Sequence, residues 1–391
     1  MAKPRLELDL PSFLKGALAG GHPWVYRDHV PKGFSAPTGS WILARAGNWS
    51  GWALWDAASP IALRVFSEKQ CPDAEWIAER VRLAWELRAP LRAEGTSAYR
   101  LVNGEGDGLP AIVVDVYAGW AVILTYVDAV EALVPWLVEA LQRVGEFRGV
   151  LRRRRDEPKS ERLECLVGRA PSRDLVVEEA GLRYRVDMLE GQKTGLFLDQ
   201  RENRRTVGRL AAGATVLNLF SYTGGFSLRA AQGGATRVTS VDVAPGAIQA
   251  ARDNFTLNGL DPEPHEFVVA DVFEYLEAAR RERRQFDLVI SDPPSFAHSR
   301  EQLPQALDAY QRLTLLGLRL VRFGGIYVGS SCTAQVSPEA FRGLMAKAAQ
   351  KARCRLQVFH DAGHALDHPL LAQHLEGRYL KFFACRVLPI A

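Results

Sequence analysis

Between about residue 210 and residue 331 the chain keeps switching between two hydrophobic periods. Short apolar runs, T-V-L-N-L-F (215–220), R-V-T-S-V-D (237–242), E-F-V-V-A-D (266–271), F-D-L-V-I-S-D (286–292) and G-I-Y-V-G-S-S (325–331), are separated by helical stretches at 225–232, 245–257, 272–283 and 304–322. Regular alternation of this kind leaves little choice of fold. Parallel strands need a crossover, and a helical crossover covers a face of the sheet, so the expectation is an α/β sheet with helices on both sides. Ser337 and Pro338 then suit the N-cap and first position of a helix to about 353. The runs 355–359 and 378–387 suit an antiparallel edge, giving seven strands in a mostly parallel sheet.

The first part of the chain reads differently. Residues 1–72 show Trp-rich strand patterns between Gly and Pro punctuation (G-H-P-W-V-Y, G-S-W-I-L-A-R-A, S-G-W-A-L-W-D), as in a small β-barrel. At 72–88 the period changes. Trp76, Ile77, Val81, Ala84 and Trp85 fall on one helical face, and Pro90 ends the run. With strand-like runs near 99–117 and 175–188, a helical stretch at 129–143 and a charged irregular piece at 152–174, residues 73–185 read as a small α+β domain. The third domain is then 186–391.

An apolar fraction of 47% and a charged fraction of 24% are those of soluble globular proteins. No apolar run approaches the roughly 20 residues of a bilayer span, and M-A-K-P-R-L-E-L-D-L has no signal-peptide core. Five scattered cysteines form no C-x-x-C pair, so a cytoplasmic protein with reduced thiols is expected. The net charge of +4 is only mildly basic. The run Arg152, Arg153, Arg154, Arg155 and the cluster R-R-E-R-R (280–284) each read either as a solvated face or as an RNA contact.

In open α/β sheets ligands bind at the carboxyl ends of the strands. The first strand runs into F-S-Y-T-G-G-F-S, where Phe220, Ser221, Tyr222, Thr223 and Gly224 form a turn that a ligand can approach closely. The second strand ends in Asp242, placed to accept both ribose hydroxyls, and the third in Asp271, suited to an adenine amino group. Dinucleotides and S-adenosylmethionine are served alike by such a pattern, but G-x-G-x-x-G is missing, which disfavours NAD.

The fourth strand ends in S-D-P-P-S-F. Two prolines hold the loop extended, so that Asp292 and the backbone around Pro293 and Pro294 can face a planar, amino-bearing ring on which Phe296 could stack. The other reading is a Pro-rich turn with a capping Asp. The fifth strand ends at Cys332. A thiolate there can add to C6 of a cytosine and make C5 nucleophilic, with Asp292 serving the N3/N4 edge; the bland reading is a space-filling cysteine, accepted here for Cys165, Cys354 and Cys385.

The stretches G-H-P-W-V, Y-R-L-V-N-G-E-G-D-G-L-P, G-Q-K-T-G-L-F-L-D-Q-R-E-N-R, N-L-F-S-Y-T-G-G-F-S, S-D-P-P-S-F, S-C-T and D-H-P-x-x-x-x-x-x-x-E-G-R-Y-L-K together resemble the bacterial ribosomal-RNA cytosine-C5 methyltransferases that carry a PUA domain, acting on 23S RNA. The likeness runs in order over nearly the whole length. It implies an N-terminal PUA β-barrel, a small central domain and a Rossmann-like methyltransferase domain, S-adenosylmethionine as cofactor and Cys332 as nucleophile. It also puts this segment on the cofactor side of the pocket, with Gln200 as a cofactor contact and Lys193 and Arg201 near the RNA substrate, whereas Asp199 and Glu202 read better as a capping box. It makes the barrel and the arginine run an RNA-holding surface. The family's usual S-C-S is S-C-T here, followed by A-Q where relatives often carry histidines. The fourth-strand loop has no cysteine, so no base for the C5 proton is assigned.

The expected partner is thus 23S ribosomal RNA or an assembling large subunit, with no membrane; a homodimer is an open expectation. Two other functions stay open: an N-methyltransferase on an exocyclic base amine, in which Cys332 is dispensable, and a non-catalytic RNA-binding or ribosome-assembly factor. No metal is expected, because Gly363 and Pro369 break up the set His360, Asp361, His364, Asp367, His368 and His374.

Overall fold

The seven expected strands are β1 (Thr215–Leu219), β2 (Arg237–Asp242), β3 (Glu266–Val269), β4 (Phe286–Ser291), β5 (Val321–Ser331), β6 (Cys354–Ala362) and β7 (Lys381–Pro389). In this computed structural model they form one sheet in the order β3-β2-β1-β4-β5-β7-β6. β1 to β5 run parallel, and β7 is antiparallel to both β5 and β6. The structure describes residues 6–154, 163–188, 196–297, 299 and 301–390; Arg155 and Lys193 lie outside them.

Helices α1 (Arg201–Leu210), α2 (Gly225–Gln232), α3 (Pro245–Leu257), α4 (Val272–Arg281), α5 (Leu303–Leu318) and α6 (Pro338–Lys351) cover the two faces. Alternation along the strands divides the core between them. Leu288, Ile290 and Val328 pack with Val207, Phe226 and Ala230 on one side. Val289 and Tyr327 pack with Leu276, Leu313 and Phe341 on the other. As the sequence suggests, Ser337 caps α6, its Oγ accepting from the Ala340 N–H at 3.1 Å. Helix α5 ends at Leu318 rather than near 322, because Val321 already pairs with Phe286 in β5; a register shift and Gly324, at φ +86°, absorb the extra residues.

The register aligns the functional edge. Leu219 sits opposite both Val241 and Ser291, and Ser291 opposite Gly329. The residues that follow, Phe220, Asp242, Asp292 and the Ser330–Cys332 stretch, therefore gather at one end of the sheet. Strand order reverses between β1 and β4, the place where such sheets bind ligands.

Gly224 N-caps α2 at φ +80°, and a Cβ there would lie 2.8 Å from the Ala251 Cβ of α3. Its close approach is thus to a helix. Gly224→Ala combines backbone strain with a clash and is expected to lower unfolding stability in urea by about 1–3 kcal/mol.

The described residues divide into two units: one holds 6–180, 186–188 and 367–377, the other 181–185, 196–366 and 378–390. In the first, Leu6–Asp9, Trp41–Ala46, Trp49–Trp55, Ile61–Ser67 and Trp24–Tyr26 form a five-stranded sheet. A second five-stranded sheet runs from Leu163–Gly168 through Gly149–Arg153, Trp120–Thr125 and Ile112–Tyr117 to Ala98–Asn103. The helix Ala74–Leu87, capped by Asp73, buries Ile77, Val81 and Ala84. Leu163–Gly168 is a strand inside the stretch expected to be irregular. Its residues are largely exposed at a sheet edge, so no apolar alternation marks it.

The segment 367–377 is bound into this first unit by buried polar groups. Arg88 donates to the Asp367 carbonyl at 2.8 Å while pairing with Asp107, and the Arg100 N–H donates to Asp367 Oδ2 at 2.8 Å. The His374 ring lies 4.2 Å from that of Trp24. Among the described residues no helix is long and apolar enough to cross a membrane.

Candidate active site at the strand ends

The turn after β1 is held in an unusual conformation. Phe220 and Tyr222, neither of them glycine, have φ of +55° and +48°, a left-handed region that costs free energy and recurs at functional sites. The Ser221 N–H donates to the Val241 carbonyl at 3.0 Å, the Tyr222 N–H to Asp242 Oδ2 at 2.9 Å, and Asn254 Nδ2 to the Thr223 carbonyl at 3.0 Å. Asp242 Oδ1 accepts from the Ala244 N–H at 3.0 Å. Each carboxylate oxygen has a second lone pair, so these bonds orient Asp242 without exhausting it as an acceptor. Asp271 is exposed and caps α4, its Oδ1 accepting from the N–H groups of Phe273 and Glu274 at 2.8 and 3.1 Å.

At the neighbouring strand ends lies a buried polar network. Gln200 Nε2 donates to Asp292 Oδ1 at 2.9 Å and to Ser330 Oγ at 3.0 Å. Gln200 Oε1 accepts from Asn203 Nδ2 at 2.6 Å, and Asn203 also donates to the Gly363 carbonyl. Gln200 thereby joins the Asp292 loop to β5 two residues before Cys332. The capping box expected of Asp199 and Glu202 does not form. The N-cap of α1 is Gln200, without a side-chain cap bond, and Asp199 Oδ2 instead accepts from Tyr379 Oη at 2.8 Å. Arg201 is fully buried.

Pro293 is buried and Pro294 exposed in the loop after Asp292. The Phe296 ring packs on Tyr310, with centroids 4.7 Å apart, and edge-on to Phe220 at 6.5 Å. Cys332 is half-buried. Its loop is tied down on both sides: Thr333 Oγ1 lies 2.7 Å from Tyr310 Oη and 3.0 Å from Ser295 Oγ. Burial, the largest cause, raises the Tyr310 phenol above its ordinary range. The other cysteines differ. Burial pushes Cys385 up to about 12 and raises Cys354, as for inert core thiols, whereas Cys165 is exposed and so is no core residue.

Asn203, Thr333 and Lys381 were given no role from sequence. Lys381 had a signal: a lysine opening the apolar strand K-F-F-A-C-R-V is 1% exposed, and such residues are seldom buried without a reason. The arginine run carries less free charge than its sequence suggests. Arg152 pairs with Glu131, and Arg154 with Glu164 at 3.1 Å. Of the histidines weighed as ligands, His364 Nε2 accepts from the Leu380 N–H at 3.3 Å and His368 Nδ1 lies 2.9 Å from Asp367 Oδ1.

The reversal of strand order, the strained turn after β1 and the acid closing β2 suit a nucleoside cofactor, and similarity to known proteins gives the class, S-adenosylmethionine-dependent methyltransferases. Residues 139–354 match the family described as S-adenosylmethionine-dependent methyltransferase, and residues 15–68 match the PUA-like domain. The chain is 36% identical over 380 residues to a Shewanella denitrificans protein named Ribosomal RNA large subunit methyltransferase I, covering 94% of this chain and 95% of that protein. It is 39% identical over 398 residues to the Ribosomal RNA large subunit methyltransferase of Deinococcus radiodurans, covering 97% and 96%. A methyltransferase crystallised with S-adenosylhomocysteine superposes with a TM-score of 0.89 at 28% identity, over 98% of this chain and 100% of that one. The chain belongs to this family of PUA-domain ribosomal RNA large-subunit methyltransferases, and its cofactor is S-adenosylmethionine.

Proposed function

We propose that the protein methylates C5 of a cytosine in large-subunit (23S) ribosomal RNA, through a covalent bond between Cys332 Sγ and C6 of the base. The observation that carries this reading is the Gln200 bridge, which puts Asp292 and the strand leading to Cys332 into one hydrogen-bonded network. S-adenosylmethionine supplies an electrophilic methyl group, and C5 of a cytosine is too weak a nucleophile to take it unaided. Addition of the Cys332 thiolate to C6 moves the ring's electron pair towards C5. Asp292, oriented by the Gln200 amide, acts as the acid that gives a proton to N3 as the thiolate adds, and so offsets the charge that builds there. Methyl transfer to C5 releases S-adenosylhomocysteine. C5 then gives its proton to solvent, the pair left behind reforms the C5–C6 double bond as the C6–S bond breaks, N3 returns its proton to Asp292 and the thiolate leaves.

Asp242 is the residue assigned to the ribose hydroxyls, with Phe220 to Gly224 forming the wall beside it; Gln200, called a cofactor contact from sequence, is assigned to Asp292 instead. Asp271, with one oxygen committed to α4, has the adenine edge as a second task. The PUA-like barrel and Arg153 hold RNA phosphates, while the base to be modified is turned out of its stack. Pro293, Pro294 and Phe296 shape the pocket floor.

The test is nucleoside analysis of unmodified 23S RNA after incubation with labelled S-adenosylmethionine. Label in 5-methylcytidine supports the reading; label in an N-methylated nucleoside replaces it, and no transfer at all points to a binding factor. Asp242→Ala is expected to weaken S-adenosylmethionine about 10- to 100-fold by calorimetry, since hydrogen bonds to a charged acceptor are among the strong ones. An unchanged affinity would remove Asp242 from the cofactor site.

A further inference from the structure

Lys381 opens β7 directly opposite Ser331, the residue before Cys332. Its Nζ donates to the carbonyl of Thr333, the residue after Cys332, at 2.6 Å, and to the carbonyl of Tyr379 at 2.8 Å. The lysine therefore straddles the cysteine, pairing with one neighbour through the backbone ladder and gripping the other through its ammonium. Among the described residues no carboxylate pairs with it. Burial, the largest cause, pulls its pKa down to about 8 against the raising influence of the charge of Cys332.

A lysine needed only to fill this space is hard to rationalise. The methylene stem could be replaced by an apolar side chain without burying an ammonium. What the ammonium adds is one charge-assisted bond to the loop at Thr333, another to the Tyr379 carbonyl, and a positive charge within electrostatic reach of Cys332. Tyr310 from α5 also lies within electrostatic reach of Cys332, and burial, the largest cause, holds its phenol above the ordinary range.

We propose that Lys381 is a positioning residue for Cys332: its ammonium clamps the loop at the Thr333 carbonyl and stabilises the sulfur as a thiolate. This rests on the reading of Cys332 as the nucleophile. The consequence is that the Cys332 thiol is more acidic than an exposed cysteine before RNA arrives, and that this depends on a lysine that is almost wholly buried.

The experiment follows the rate of iodoacetamide alkylation at Cys332, resolved by peptide mass spectrometry, between about pH 6 and pH 9. The exposed Cys165 in the same digest is the internal reference. In wild-type protein the Cys332 profile should inflect at lower pH than that of Cys165. In Lys381→Met and Lys381→Gln the inflection should move up and the rate at pH 7 fall about tenfold. Lys381→Arg, which keeps the charge, should restore most of it. A purely structural lysine would leave the inflection unmoved in any variant that folds. Either that result, or a wild-type Cys332 inflecting at or above Cys165, overturns the proposal, and the wild-type arm stands even if the uncharged variants fail to fold. Methyl transfer by Cys332→Ala is measured alongside. Full activity there sinks the nucleophile reading; an inactive Cys332→Ala with an unshifted Lys381→Met sinks only the role of Lys381.

Discussion

Cys332→Ala is expected to lose at least about 1,000-fold in methyl transfer to 23S RNA while still binding S-adenosylmethionine and folding normally. The size of the loss follows from the chemistry. Without addition at C6, C5 has no electron pair to offer, and what remains is whatever binding and orientation can achieve alone. Stability should change by less than about 1 kcal/mol, because Cys332 is half-buried and its loop is held by Thr333 and its partners. RNA carrying 5-fluorocytosine sharpens the measurement. Fluorine at C5 cannot depart as a proton does, so the adduct persists and appears as a protein–RNA band on a denaturing gel. Wild-type protein should give that band and Cys332→Ala none. An alanine variant within tenfold of wild type would return the cysteine to the role of a space-filler and favour methylation of a base amine.

The sheet was legible because its signal is local. Each strand is a run of apolar residues, each crossover has a helical period, and Ser337 and Pro338 announce α6 before any long-range contact is known. The positions at the strand ends followed from the same reasoning, since Asp242, Asp292 and Cys332 are simply the residues that come next. Their partners were not legible. Gln200 meets Asp292 across 92 residues of sequence, and Lys381 meets Thr333 across 48. The capping box at Asp199 and Glu202 fits the local pattern, yet a tertiary partner, Tyr379, takes the Asp199 carboxylate. Asp271 shows the reverse: a residue read as a ligand group also fulfils a local rule, capping the helix that follows it. The segment 367–377 has no sequence mark of the unit it joins, because what binds it there is Arg88 and Arg100, more than 260 residues earlier. Charge is equally hard to read along a chain. Arg152 and Arg154 look like a cationic stripe until Glu131 and Glu164 are placed beside them.

Asp292→Asn should lower kcat by about 100- to 10,000-fold, the range expected when a positioned acid–base group is removed. The substitution is nearly isosteric, and its amide oxygen can still accept from Gln200 Nε2, so the loop fixed by Pro293 and Pro294 should keep its place. What is lost is the ability to take and return a proton at the base edge. Because that exchange matters as charge builds on the ring, and little before it, kcat and kcat/KM should fall together while the affinity for S-adenosylmethionine stays within a few-fold. The fluorocytosine adduct separates this residue from Cys332: it should still form with Asp292→Asn, only slowly, since the nucleophile remains while the group that makes its attack productive is gone. A variant with near-wild-type kcat would show that proton transfer at N3 is managed by solvent or by the RNA itself. A variant that forms the adduct at full speed but releases no product would move Asp292 to the later half of the reaction, beside the loss of the C5 proton.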